Sequence, residues 1–306
     1  MPKICYVPKT FRKDSIEIIG KAIAIAEAYA QQGYELTLRQ LYYQFVSRGW
    51  LQNTESNYHR LGNIINDARL AGLVDWNYLT DRTRWVRENS HWSNPTRIMD
   101  SVVTSYAHEK WLGQPERPIV MIEKDALVGV IQGVCEELDV PHFSCRGYTS
   151  QSEMWSISQR IRGYIKKGQR VVILHLGDHD PSGIDMSRDI QDRLALFISH
   201  DQGEEDVPEL DRLALNIDQI QQYNPPPNPA KATDSRFRDY ADKFGYESWE
   251  LDALDPTVIS DLVRTAILAH RDDDLWDDAV ADEDEKRTQL QDVRDRWQEV
   301  VDFLDS

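Results

Sequence analysis

Between residues 118 and 199 the chain repeats one pattern: a short apolar run, then a stretch with helical spacing. Pro118-Ile-Val-Met-Ile-Glu123 precedes a helix predicted over 125–138, His142–Cys145 precedes one over 151–167, and Arg170–Leu176 precedes one over about 183–199. Strands separated by helices of this length are joined by crossovers and so build a parallel sheet. The Val, Ile and Leu content of the runs suits a sheet covered on both faces. One more strand, at Arg212–Asn216, would extend it.

The residues before this region read differently. Residues 14–32 have the apolar spacing of a helix, with Gly33 as its stop. Thr37-Leu38-Arg39-Gln40 fits a capping box, Thr37 as N-cap and Gln40 reaching back, for a helix that runs through Arg48 to Gly49. A third helix over 54–71 places Leu61, Ile64, Ile65, Ala68 and Leu70 on its apolar side and closes at Gly72. With short extended pieces at Tyr34–Leu36 and Leu73–Trp76, the pattern is that of a winged helix-turn-helix, although a plain helical bundle satisfies the same periodicity. Tyr223–Ala230, rich in proline, predicts a stiff polyproline connector, and helices follow at about 234–244, 257–270 and 284–304. The expected organisation is therefore 1–87, a helical linker over 88–117 with one helix from about Pro95 to Trp111, an α/β region over 118–222, and a connector with an acidic helical region over 223–306.

Composition bounds the setting. Hydrophobic residues make up 41% of the 306 positions, a globular proportion. No apolar run approaches the roughly 20 residues of a membrane span, and Met-Pro-Lys-Ile-Cys has no signal-peptide core. Cys5, Cys135 and Cys145 form no Cys-x-x-Cys pair, so neither a disulfide framework nor a structural zinc site is expected. The chain reads as soluble and cytoplasmic. Its net charge of −17 argues at first against a nucleic-acid partner. The distribution removes that objection: residues 1–100 carry +3, residues 101–200 carry −2 and residues 201–306 carry −18. Much of the acid follows Arg271, where a solvated, solubilising tail is expected, or alternatively a docking segment.

In open α/β sheets ligands bind beyond the carboxyl ends of the strands. Glu123 stands at one such end, and Asp178 with Asp180 at another, after Gly177 and before Pro181-Ser182-Gly183. Three acids at one edge would repel unless a cation neutralised them, and oxygen-only ligands suit Mg²⁺ or Mn²⁺. The plainer alternative is that these are solvated turn residues with Asp180 capping a helix. His175 and His179 flank the motif; His175 is expected in the sheet and His179 turned away from the acids, a spacing that does not suit zinc.

Glu123 after one strand and Asp178-His179-Asp180-Pro181-Ser182-Gly183 after another resemble the Toprim domain of topoisomerases, primases and related nucleases. The form Asp-x-Asp-Pro-x-Gly is similar to that of the topoisomerase VI A subunit and the related meiotic enzyme that breaks both DNA strands. Thr37-Leu38-Arg39-Gln40-Leu41-Tyr42-Tyr43 resembles the family's catalytic winged-helix segment, Arg146-Gly147-Tyr148 falls where the family has a basic-Gly-Tyr segment, and Trp249–Leu254 resembles it more loosely. The fold this implies is an N-terminal winged helix-turn-helix followed by a Toprim domain, a Rossmann-like parallel sheet, with a helical C-terminal extension. The implied activity is Mg²⁺-dependent DNA cleavage by transesterification. Tyr43 would displace a phosphate ester and stay joined to the 5′ end, and Glu123, Asp178 and Asp180 would hold the metal. Arg39, one helical turn before Tyr43, could stabilise the phenolate or grip the phosphate, while Tyr42, about 100° round the helix, faces the core. In the family the tyrosine and the metal site come from different protomers, which implies a homodimer on double-stranded DNA. No ATP-binding signature occurs in the chain, so strand passage would need a separate B-type ATPase subunit; a short stand-alone, nucleoid-associated relative is the expectation.

The third helix, with Arg60, Asn63 and Arg69, would face the major groove, and Arg82, Arg84 and Arg87 would meet phosphates, as would Arg146. Two alternatives stay open: a Toprim nuclease that hydrolyses DNA with metal-activated water, the tyrosines being structural, and a non-catalytic DNA-binding or assembly protein.

Overall fold

The structure, a computed structural model, describes residues 3–34, 36–79, 89–199 and 206–306. Three helices open it: α1 (Lys13–Ala30), α2 (Leu38–Ser47) and α3 (Glu55–Leu70). The capping box at the start of α2 is present as the sequence predicts, Gln40 N–H donating to Thr37 Oγ1 and Thr37 N–H to Gln40 Oε1 at 2.7 Å. Leu36, Leu41, Phe45, Leu61 and Ile65 close a core between these helices. After α3 the described residues form a 3₁₀ turn, Trp76–Tyr78, and a single bridge between Leu36 and Leu79; the extended piece expected at Leu73–Trp76 is a bend. Arg82, Arg84 and Arg87 lie outside the described residues.

Helix α4 (Pro95–Ser105) is shorter than the expected 95–111, because Tyr106 turns to extended backbone and leads Trp111 into the core beneath the sheet. The sheet then builds from β1 (Glu116–Ile122), α5 (Val128–Glu137), β2 (His142–Ser144), α6 (Gln151–Ile165), β3 (Arg170–Leu176), α7 (Pro181–Ser199) and β4 (Glu209–Ala214). All pairings are parallel and the order is β2-β1-β3-β4, so the fold is mixed α/β with a four-stranded parallel sheet. Val120, Ile122, Leu174 and Leu176 face a core shared with α5, while Met121, Ile173 and Val171 face one shared with α6 and α7. The sheet is thus covered on both faces, as its apolar strands require.

Past the sheet come α8 (Ile217–Tyr223), β5 (Asn228–Pro229), α9 (Phe237–Phe244), β6 (Glu247–Ser248), α10 (Pro256–Ala269), α11 (Asp273–Asp295) and α12 (Trp297–Leu304). The proline-rich connector contributes β5, which pairs antiparallel with β6, an edge position that proline tolerates. Helix α10 packs on α5 and closes the sheet's first face.

The acidic region is helical and most of its acids are exposed to solvent, but it is anchored to the rest of the chain. Asp272 caps α11, which begins eleven residues before the predicted helix at 284, packs along α4 and buries Trp276 against Trp111. Within it Glu283 is 7% exposed, accepting from the His108 N–H at 2.8 Å, from Lys110 Nζ at 2.6 Å and from Arg287. Burial alone would raise its pKa, but these donors hold it down to about 2. A carboxyl depressed below its unfolded value of about 4.3 adds stability that is complete above that pH and is lost as pH falls toward 2. Melting wild type and Glu283→Gln from pH 6 to 2.5 should show the gap between them narrowing across that window; a constant gap would refute the assignment.

Candidate functional site

The strand order reverses between β1 and β3: from β1 the chain moves outward to β2, then returns to the other side of β1 as β3. A crevice opens at the carboxyl ends of such a pair, between crossovers that leave on opposite faces. Ile122 is in register with Leu176, so Glu123 and the Gly177-Asp178 turn emerge side by side. Glu123 Oε2 accepts the Asp178 N–H at 2.8 Å. Gly177 leaves room beside that same Glu123 oxygen, from which a Cβ would stand 3.0 Å.

Asp180 caps α7, its Oδ1 accepting from the Gly183 N–H at 2.6 Å and from Ser182 Oγ at 2.9 Å. The start of α7 lies hard against the turn: a Cβ on Gly183 would sit 2.2 Å from the Asp178 carbonyl oxygen. Backbone cannot rotate out of the way. Gly183→Ala should therefore displace the Asp178 loop and cost about 1–3 kcal/mol, seen as a lower Tm and loss of any activity at the site. Gly163→Ala on α6, where a Cβ meets nothing within 4 Å, should not lower the Tm; equal melting of the two variants would contradict the packing.

Arg212, reaching in from β4, fastens the turn from below. It donates to the carbonyls of Asp178 at 2.6 Å, Gly177 at 3.1 Å and Gly183 at 3.0 Å, and to Ser187 Oγ at 2.7 Å. Burial lowers its pKa to about 10 against the pull of Glu123 and Asp178, so it stays charged at neutral pH. His175 is fully buried with Nδ1 on Ser187 Oγ at 2.9 Å. His179 sits among Tyr240, Phe244 and Trp249, its Nδ1 2.8 Å from the Tyr240 hydroxyl. Both occupy the places the sequence predicts for them, in the sheet and away from the acids.

Lys124 has no role in the sequence reading, and Glu250 and Asp252 enter it only within the loosely similar Trp249–Leu254 segment, yet the three knit the site together. Lys124 Nζ lies 2.9 Å from Asp178 Oδ1, 2.9 Å from Glu250 Oε2 and 3.1 Å from Asp252 Oδ2. Burial opposes its charge, but the three carboxylates outweigh burial and raise its pKa. Arg39 from α2 reaches the same pair of acids, with Nε 2.7 Å from Asp252 Oδ2 and Nη2 bonded to Glu250. Its guanidinium also lies over the Tyr43 ring, 5.8 Å from the centroid. Burial, and then the charge of the Glu250 carboxylate across the same cavity, raises the Tyr43 pKa despite Arg39 and Lys124. Tyr42 is a different case: its hydroxyl accepts the Thr54 N–H at 2.7 Å and pins the turn between α2 and α3.

Arg39, Tyr43, Lys124, Asp178, Asp180 and Glu250 line one open cavity of about 500 Å³, with Asn53, Thr54 and Glu55 at the start of α3 on its rim. The tyrosine and the acids thus meet within one chain, where the family resemblance implies two. Of the residues expected to touch DNA, Asn63 is exposed, Arg60 is paired with Asp14 at 2.9 Å, and Arg146 is exposed beside Asp125 at 3.2 Å. Arg69 is turned inward. It stacks on Trp76 at 4.5 Å and donates to the carbonyls of Trp76 and Leu79 at 2.6 and 2.9 Å, so its guanidinium serves the fold.

The donor set suits a hard divalent cation in charge and in chemistry. Five carboxylates (Glu123, Asp178, Asp180, Glu250, Asp252) meet three cationic groups (Arg39, Lys124, Arg212), which leaves two negative charges. The excess shows at Glu123, where burial and then the Asp178 charge push the pKa up to about 7. Among the described residues no three His, Cys, Asp or Glu side chains converge on one point: the oxygens of Glu123 and Asp180 carry backbone hydrogen bonds and Asp178 holds Lys124. No described helix is long and apolar enough to cross a membrane. In comparisons with known proteins, no family model and no curated sequence matches the chain.

Proposed function

We propose that the chain is a DNA-cleaving transesterase of the topoisomerase VI A type, with α1–α3 as a winged-helix tyrosine domain and the parallel sheet as a Toprim domain. One observation carries this reading: Tyr43 and Arg39 share a single cavity with Asp178 and Asp180 after β3, Lys124 after β1, and Glu250. A buried aromatic pair on an amphipathic helix would not by itself place a phenol, two cations and a strand-end acid cluster around the same space.

In the reaction a DNA phosphodiester lies in the cavity with its phosphate between Arg39 and Lys124. The Tyr43 oxygen attacks phosphorus, the Tyr–O–P bond forms, and the bond to the 3′ oxygen breaks, leaving a 5′-phosphotyrosyl link that the same 3′ hydroxyl can reverse. Mg²⁺, held by Glu123, Asp178 and Asp180, would supply positive charge for the phosphate and the leaving oxygen. The phenol is a poor nucleophile while protonated, and Glu250, in the wall of the same cavity, is the carboxylate to take its proton. In the free protein burial would raise the Glu250 pKa, but Lys124 and Arg39 hold it near 2, too low for a strong base. A phosphate that draws those two cations away would return basicity to Glu250 at the moment it is needed. Arg60, Asn63 and Arg146 are the exposed groups suited to the flanking backbone, on double-stranded DNA, with a homodimer cutting both strands, a B-type ATPase as a separate partner and the nucleoid as the setting.

The test is to mix the protein with Mg²⁺ and end-labelled duplex, then denature. The reading predicts label that stays with the protein. Cut DNA free of protein would favour hydrolysis, and duplex that is bound but never cut would favour a non-catalytic role.

A further inference from the structure

We infer that the chain carries a second binding site, at the end of the sheet opposite Glu123, for a small molecule with the chemistry of a nucleoside monophosphate. The inference does not depend on the tyrosine reading. It begins with a mismatch of strand lengths. β3 pairs with β1 along all of Glu116–Ile122, whereas β2 pairs only with Val120–Ile122. The first half of β1 therefore extends past β2, and a cavity of about 510 Å³ opens there between the ends of α5 and α6. That volume falls among small-ligand pockets of about 300–1,000 Å³. Arg117, in its wall, lies six residues before Glu123 on the same strand. The separation is about 20 Å, so a ligand here stands clear of the cavity that holds Tyr43.

Arg117 is the group that calls for a ligand. It is 4% exposed, lies 4.1 Å from the centre of the Tyr164 ring, and its Nε has no hydrogen-bond partner among the described residues. Glu109 stands 2.6 Å from its Nη1, but that carboxylate is 39% exposed and is shared with Lys167 at 3.6 Å. A partner so open to water offsets little of the cost of burying a guanidinium, and the three groups together still carry one positive charge. The same wall offers further donors. Arg160 and the Tyr164 hydroxyl, one turn apart on α6, and the His142 ring at the start of β2 make no hydrogen bond or ion pair among the described residues. Guanidinium forks grip phosphate by two oxygens at once.

Two acids in the wall narrow the class of ligand. Asp139 accepts the Lys110 N–H at 3.0 Å through Oδ2, and Glu136 accepts from the Gln132 amide at 2.6 Å through Oε1. Their other oxygens accept nothing among the described residues. A bare oxyanion would be repelled by these carboxylates. A molecule that joins a phosphate to hydroxyl or amino groups satisfies both halves of the wall, its phosphate on Arg117 and Arg160 and its O–H and N–H groups on Glu136 and Asp139.

Calorimetric titration without Mg²⁺ tests this, using adenosine, guanosine, cytidine and uridine 5′-monophosphates singly, each beside inorganic phosphate and its own nucleoside. At least one monophosphate should saturate the protein, and either half of it alone should bind about tenfold more weakly or worse. Arg160→Gln, a change at an exposed side chain, should weaken that monophosphate about tenfold or more. Arg117→Lys, which keeps the charge and loses the fork, should weaken it as well. Arg39→Gln, at the other cavity, should leave the affinity unchanged. No saturation at about 10 mM would overturn the inference. So would inorganic phosphate or a nucleoside that binds as tightly as the monophosphate, or binding lost in Arg39→Gln and kept in Arg160→Gln, which would place the nucleotide beside Tyr43.

Discussion

Tyr43→Phe will abolish covalent capture of DNA, by about 10³-fold or more, while the protein stays folded. The expectation follows from what else the cavity offers. Among the described residues Tyr43 is the only phenol in its wall, and the neighbouring Tyr42 hydroxyl is committed to the Thr54 backbone, where it holds the turn before α3. Losing the nucleophile of a covalent route removes the route, so the loss is set by the background reaction and not by a change in affinity. The fold should tolerate the change: phenylalanine keeps the ring beneath Arg39, and Glu250 keeps its pairs with Arg39 and Lys124. Tyr42→Phe is the mirror experiment. It deletes a hydrogen bond that stabilises the helix turn, costing about 1–2 kcal/mol, and leaves the nucleophile in place. Adduct retained in Tyr42→Phe and lost in Tyr43→Phe is the predicted pair of results; adduct in both, or in Tyr43→Phe alone, sinks the assignment.

Lys124→Met should cause the largest loss of stability of any single change at the site. Among the described residues the ammonium is the one cation that touches Asp178, Glu250 and Asp252 together, and the Asp252 side chain is fully buried. Methionine fills a similar volume without the charge, leaving Asp178 to the Leu251 N–H and Asp252 and Glu250 to Arg39. Breaking a buried ion pair from one side costs about 3–5 kcal/mol, which in a chain of this size lowers the Tm on the order of 10 °C. The same change makes room for a competitor. With the ammonium gone the acids become a better site for a hard divalent ion, so millimolar Mg²⁺ should raise the Tm of Lys124→Met more than that of wild type. Unchanged melting would show that Lys124 does not hold the cluster, and an equal Mg²⁺ response in both proteins would show that the freed carboxylates do not take the ion.

Much of the scaffold could be read along the chain, and the reason is local. The capping box at Thr37 and Gln40, the stops at Gly33 and Gly72, and the apolar strands ending at Glu123 and Gly177 are signals carried within a few residues. The acids at the strand ends were legible because a parallel sheet brings the carboxyl ends of its strands to one edge. What tied them together was not. Glu250 and Asp252 lie 126 and 128 residues from Lys124, and Asp252 lies 213 from Arg39, so no spacing rule connects them. The signal that could have found them was chemical: a lysine directly after the strand-end Glu123, and an acid pair in Trp249–Leu254 beside hydrophobic residues that had to be buried. Arg69 illustrates the opposite error. Its place on the polar side of α3 suggested DNA, but Trp76 two turns later offered a ring and carbonyls that only the tertiary structure brings within reach. Counting charge over a third of the chain likewise cannot show that Glu283 is buried among His108, Lys110 and Arg287 while most of its acidic neighbours are exposed.

The central claim is a bond between Tyr43 and the 5′ end of DNA, and the most direct measurement is to find that bond. Protein trapped with Mg²⁺ and duplex is denatured, stripped of DNA by nuclease and digested with trypsin, which cuts after Arg39 and Arg48 to release the segment holding both tyrosines. Mass spectrometry should show this peptide heavier by a nucleotide remnant, with fragmentation placing the added mass on Tyr43. The remnant on Tyr42, or an unmodified peptide from a reaction in which the duplex has been cut, would contradict the account.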